Sequence, residues 1–165
     1  MKKFTFLLLL LSTMVLMGSD PVYYYEYKPV FMKRSELERA VRLEAASPIK
    51  NPGKIYIKDQ YIFINEKYKG FHIIDNSNPS APVQKAFLHI DGCLDIAIKG
   101  NYIYADNAID LVAISANNDY STISVTGRVR NSFAEPSSPD GYWYARQFER
   151  YRPKDGIIVN WEYNY

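Results

Sequence analysis

From Lys54 onward, apolar residues recur at every second position. Ile55 and Ile57, then Tyr61 and Phe63, alternate with more polar neighbours, and Asp59-Gln60 separates the two runs. A period of two puts successive side chains on opposite faces of an extended strand, so these runs predict paired strands. Gly70-Phe71-His72-Ile73-Ile74-Asp75 predicts another strand. Asn76-Ser77-Asn78-Pro79 predicts a turn, because Asn and Ser side chains bond to nearby backbone and Pro fixes φ. Val83 to Ile90 predicts a further strand, and Asp91-Gly92 turns the chain again. Upstream, Tyr23 to Tyr27 reads as a strand or an aromatic tether. Ser35-Glu36-Leu37-Glu38 has capping-box spacing, with Ser35 as N-cap. Leu37, Ala40 and Val41 then share a face, which predicts a short helix from about Glu36 to Leu43. Ser47-Pro48 and Asn51-Pro52-Gly53 end it.

The strand pattern repeats. Ile55, Ile57, Lys58, Tyr61 and Ile62 recur 41 residues later as Ile96, Ile98, Lys99, Tyr102 and Ile103, and the turn Asp59-Gln60 becomes Gly100-Asn101. At an offset of 40, Phe71 to Ile74 matches Leu111 to Ile114, and Val83 onward matches Ile123 onward. A fainter third copy includes Gly141-Tyr142-Trp143-Tyr144 and the glycine-led run Gly156-Ile157-Ile158-Val159. A period near 40 with about four short strands per copy is the signature of a β-propeller blade. The fold class expected is therefore all-β, with propeller-like antiparallel blades of about 40 residues, an incomplete or open propeller, and a short N-terminal helix.

Gly70 to Pro82, with its glycine-led apolar strand, Asp75 and the turn Asn76-Ser77-Asn78-Pro79, resembles the LVIVD-repeat family of exported bacterial surface proteins. The likeness is close over Asn51 to Ser115, weaker to Arg130 and poor beyond. It implies a propeller-like stack of sheets and no particular reaction. The second copy departs from the pattern. It has Ser115-Ala116-Asn117-Asn118-Asp119 in place of the Asn-Pro turn, so its blade is expected to fray.

The resulting division is a signal peptide at 1–19, an N-terminal extension at 20–53, repeats at 54–93 and 94–133, and a degenerate third repeat or truncated tail at 134–165. Closed propellers have about 4 to 8 blades. Two copies and part of a third are too few to close, which predicts a shortened version of a longer protein, an open arc or part of an assembly. Shortening is the preferred reading.

The N-terminus adds a compartment. Lys2 and Lys3 precede an apolar run from Phe4 to Met17, and Gly18 and Ser19 supply small residues, as in a secretory signal. Leu16-Met17-Gly18-Ser19 resembles a lipobox with Ser19 at the position of the lipidated cysteine, so no acylation is expected there. Membrane association would belong to relatives that carry the cysteine. Export to the periplasm or cell surface is expected. Loss of Lys2 and Lys3 would leave 18 basic against 18 acidic residues, a neutral chain with no electrostatic case for nucleic acid.

Candidate chemistry is sparse. Asp106, Asn107 and Asp110 flank a tight loop, where turn formation is preferred over calcium or acid-base roles. Cys93 lacks a base at recognisable spacing and reads as a buried thiol. Glu66 lies in a polar segment that could rim a ligand face. Of 15 tyrosines in 165 residues, several gather with Trp143 and Trp161 near the C-terminus. Rings such as Trp143, Tyr144 and Trp161 suit stacking on sugars or protein partners. The candidate binding residues are therefore Trp143, Tyr144, Trp161, Glu66, Asp106 and Asp110. No catalytic residue, metal or cofactor is assigned. The function expected is a non-catalytic binding or scaffolding module with a protein or glycan partner at the cell envelope. The alternatives are an enzyme remnant and a carbohydrate-binding module.

Overall fold

The computed structural model of the chain describes residues 26–140 and 146–163. The signal segment with Ser19, Tyr23 to Tyr25, and Tyr142, Trp143, Tyr144 and Tyr165 lie outside the described residues. Strand β1 (Tyr27–Lys33) leads into helix α1 (Arg34–Leu37) and strand β2 (Arg42–Ala45). The first repeat supplies β3 (Pro52–Lys58), β4 (Tyr61–Glu66), β5 (Gly70–Asp75) and β6 (Val83–His89). The second supplies β7 (Ile96–Lys99), β8 (Tyr102–Asn107), β9 (Asp110–Ala116) and β10 (Ile123–Val129). Helix α2 (Arg146–Glu149) and strand β11 (Gly156–Tyr163) follow.

Each repeat folds into one antiparallel sheet. The first is ordered β2-β6-β5-β4-β3 and the second β10-β9-β8-β7. The matching offsets survive in three dimensions: Tyr61, Gly70 and Val83 open their strands as Tyr102, Asp110 and Ile123 open theirs. Both repeats begin with a two-residue hairpin, pairing Lys58 with Tyr61 and Lys99 with Tyr102. Asp59 and Gly100 take φ of 54° and 57° at the same turn position. Such a left-handed residue matches the twist of the strands it joins.

The register assigns the faces. Across the first sheet Tyr56, Phe63 and Ile73 are direct partners, as are Tyr61 and Asp75. These residues define its front face. Ile55, Ile64 and His72 align on the back face, with Ile57, Ile62 and Ile74 beside them. In the second sheet Ile98, Ile103 and Ile114 share the back face, and Tyr104 and Ala113 share the front. The core forms where the first sheet's front meets the second sheet's back. Phe63, Phe71, Ile73, Ile103, Val112 and Ile114 are fully buried in one cluster there. Burying each such side chain contributes roughly 1.5–3 kcal/mol. The described residues form a stack of two propeller-like blades that does not close into a ring.

The short N-terminal helix is present, but it is a single turn. Its N-cap is Lys33 and not Ser35, and the Lys33 amide lies 3.4 Å from the Glu36 carboxylate. Leu37 is fully buried, whereas Arg42 and Leu43, expected at the helix end, are strand. Pairing of Arg42 to Ala45 with His89 to Ala86 overrides the local helical spacing.

The second blade is not frayed. Six residue pairs join β9 and β10. Asn117 replaces the Asn-Pro turn with hydrogen bonds of its own: its side chain receives the Thr122 amide at 3.0 Å and donates to Ser121 Oγ at 2.9 Å. Tyr120, at φ 55°, turns its ring into the core edge-on to Tyr61 and Phe63, at centroid distances of 4.9 and 5.0 Å.

The ends of the described chain meet. β1 and β11 form an antiparallel two-stranded sheet from Tyr27–Tyr163 to Lys33–Gly156, with one irregularity at Val30/Phe31. Tyr27 therefore lies in a strand, and the glycine-led run at Gly156 is a strand as expected. Leu37, Ile157 and Val159 pack with Ala108, which seats this small sheet on the β8–β9 turn.

Candidate functional site

The polar residues singled out in the sequence lie at the ends of the repeat strands, where the chain enters or leaves a sheet. Asn65 and Glu66 end β4. Asp106 and Asn107 occupy the same positions at the end of β8, 41 residues on. Glu66 is nearly fully buried and does not rim a solvated loop. Its carboxylate accepts the Lys50 amide at 2.9 Å and the Asn51 amide at 2.7 Å, fastening the entry to the first sheet. Burial alone would raise its pKa. The Lys50 amide, His72 and the Asn51 amide together outweigh that and hold it below the ordinary value.

Behind Glu66 runs a chain of hydrogen bonds. His72 Nε2 lies 3.1 Å from Glu66 Oε2, and the Gln84 amide lies 2.9 Å from His72 Nδ1 and 2.6 Å from the Ser47 carbonyl. With Nδ1 accepting from the Gln84 N–H, the ring proton is assigned to Nε2, which donates to Glu66. The strand alternation of β5 gave no hint of this pairing, because Glu66 and His72 meet only across the β4–β5 turn.

The second repeat inverts the polarity. Asn65 donates to the carbonyls of Gly70 and Cys93, while Asp106 accepts the amides of Leu94 and Asp95, at 2.9 and 2.8 Å. Asn107 donates to the Asp91 carbonyl at 2.7 Å. Burial pushes the Asp106 carboxyl up, and its hydrogen bonds only partly offset this. Cys93 is fully buried, as expected for a small apolar thiol. Burial, with the neighbouring Asp106 carboxylate, drives its pKa well above the usual thiol range and suppresses the thiolate. Asp95 binds Lys54 and the Tyr56 hydroxyl, so the first strands of the two repeats are joined by an ion pair. Lys54 and Asp95 are repeat-equivalent residues of opposite charge.

Asp110 is fully buried and paired. Arg34 Nη1 lies 2.7 and 2.6 Å from its two oxygens, Arg128 Nη1 is 2.8 Å away, and the Asn131 amide is 3.0 Å away. Burial disfavours its charge, yet Arg34, the Asn131 amide and Arg128 hold the carboxyl below its ordinary value. Arg34 and Arg128 carry no motif and are far from Asp110 in the chain. No sequence signal marked them as its partners.

Trp161 is nearly buried, and its indole N–H donates to the Pro136 carbonyl at 2.9 Å. An open groove of about 550 Å³ lies on the front of the second sheet, bounded by Tyr104, Asp106, Leu111, Phe133 and Pro136. Its walls are mainly apolar, with the Asp106 carboxylate tied to backbone at the margin. Such a groove can hold an apolar or aromatic surface. Among the described residues, no group of three or more His, Cys, Asp or Glu is placed to hold a metal ion.

Comparison with curated proteins and with solved structures returned no match. The LVIVD repeat matches residues 52–87 and 93–124. The two matched segments coincide with the two stacked sheets, β3–β6 and β7–β10. Residues 52–124 of this chain carry two LVIVD repeats.

Proposed function

We propose that this chain is an exported, non-catalytic β-repeat protein that acts as a binding or scaffolding module at the cell envelope, in the periplasm or on the cell surface. A protein or glycan is its partner. The observation that carries the reading is how the chain uses its polar and apolar groups. Glu66, Asp106 and Asp110 direct their oxygens to amides and guanidinium groups of their own chain, whereas Ile55, Ile57, Tyr102 and Tyr104 remain exposed on the sheets. Carboxylates held in this way fasten loops. Exposed apolar surface is what a binding module offers. The apolar run from Phe4 to Met17 with its basic start supports export.

Fractionation of cells expressing the chain tests the compartment. The reading expects a product shortened near Gly18 or Ser19, without lipid, in the periplasmic or surface fraction; unprocessed chain in the cytoplasm would sink it. A glycan array and a set of envelope proteins, probed with the purified chain, test the partner class. Turnover of any substrate that Asp106→Asn abolishes without unfolding the chain would replace the binding reading with an enzymatic one.

A further inference from the structure

We propose that the chain associates head to tail with a second copy of itself, the back of the first sheet in one copy packing on the front of the second sheet in the other. The proposal rests on the same exposed Ile55, Ile57, Tyr102 and Tyr104 as the binding reading above and names a second copy as their occupant; a chain that stays monomeric yet binds a glycan or envelope protein overturns this proposal alone.

The argument starts from repeat equivalence. Ile55, Ile57 and Ile62 on the first sheet's back correspond to Ile96, Ile98 and Ile103 on the second sheet's back. The second set lies in or against the core, with Ile96 5% and Ile103 0% exposed. The first set includes Ile55 at 62% and Ile57 at 75% exposed. The fronts show the converse. Tyr61 and Phe63 are buried against the second sheet, while their equivalents Tyr102 and Tyr104 are 45% and 38% exposed. Among the described residues the chain thus contains one complete front-to-back joint and displays the two unmatched halves of another.

Those halves have the chemistry of the joint already made. An isoleucine-rich back would meet an aromatic front, as Ile96 and Ile103 meet Tyr61 and Phe63 in the core. Charge also fits. Inside the chain, Lys54 of the first repeat pairs with Asp95 of the second. Continuing the stack sets Asp95 of one copy near Lys54 of the next, again acid against base. Phe133, 47% exposed, borders the free front and adds apolar area. The contact uses different patches on the two copies, so it is heterologous and propagates until a rotation closes it. Two copies supply four repeat sheets, about the smallest number from which propellers close.

The test uses light scattering after gel filtration on the purified chain, on Ile57→Lys, on Tyr104→Lys, and on an equimolar mixture of the two variants. Both positions are exposed, and unchanged circular dichroism and melting would verify that the variants fold. The wild-type chain should run at twice the chain mass or more, and each variant at the mass of one chain. The mixture should recover a two-chain species, because Ile57→Lys keeps an intact front and Tyr104→Lys an intact back. A monomeric wild-type chain overturns the proposal. So does an assembly that survives either variant, as a symmetric back-to-back contact would predict for Tyr104→Lys, or a mixture that stays monomeric.

Discussion

Asp110 shows what the buried carboxylates of this chain do. With two guanidinium groups and an amide around it, it ties α1, β10 and the turn after β10 to the start of β9. Removing one member of a buried pair costs about 3–5 kcal/mol. Arg34 and Arg128 retain some access to water, so Asp110→Ala should fall near the lower end, roughly 3 kcal/mol by urea unfolding. The pH dependence follows from the direction of the shifts. Asp110 and Glu66 are held below their ordinary values, so their contribution is complete above about pH 5. It is lost as pH falls through the lowered values. Asp106 is shifted upward and acts in the opposite sense, favouring the folded state slightly as it takes up a proton. Asp95, paired with Lys54, and Glu135, paired with Arg152, are held low as well, so the lowered carboxyls outweigh Asp106 and predict net acid destabilisation. Asp110→Ala should lose less of its urea midpoint between neutral pH and pH 3 than the parent does; an equal loss would remove Asp110 from the explanation.

Among the elements, the repeat strands and their hairpins were legible because their determinants are local. Alternation marks a strand, and Asp59 and Gly100 stand where the hairpins need a left-handed residue. Helix length was less legible. Ser35 and Glu38 offer capping-box spacing, yet the helix starts after Lys33, and only the pairing of β2 with β6, across more than 40 residues, decides that Arg42 and Leu43 are extended. Nor did the sequence disclose that Tyr120 anchors the loop that Asn117 closes in place of the Asn-Pro turn, since its ring reaches side chains of the other repeat. Tyr120→Ala should cost about 3 kcal/mol, in the range for removal of a buried aromatic ring. Loss of less than 1 kcal/mol would show that the Asn117 hydrogen bonds alone hold the loop. Gly70, which leads β5, has φ of 132°, and a Cβ there would lie 2.0 Å from the Leu88 carbonyl oxygen. Gly70→Ala should therefore prevent stable folding, whereas Gly100→Ala, with open space around its Cβ, should cost only about 1–2 kcal/mol for its left-handed backbone. Thermal melts of the two variants separate these outcomes.

At the scale of the whole molecule, the period near 40 announced stacked blades. What the pattern could not convey is how the ends are used. β1 and β11 come from opposite ends of the chain, and their pairing closes a long loop that local periodicity does not encode. The candidate site was legible only as a set of residue types. Glu66, Asp106 and Asp110 were identifiable as polar residues near turns, but their partners come from distant segments such as Lys50, Leu94 and Arg34. The central claim is that one repeat position is used twice, buried in the second sheet and displayed in the first. Urea unfolding of Ile55→Lys and Ile96→Lys, in solution dilute enough for the single chain, tests it most directly. Ile96→Lys should abolish cooperative folding, because it places an ammonium group in the core between the sheets, while Ile55→Lys should leave the midpoint within about 0.5 kcal/mol of the parent. Equal destabilisation by the two substitutions would contradict the stacking described here.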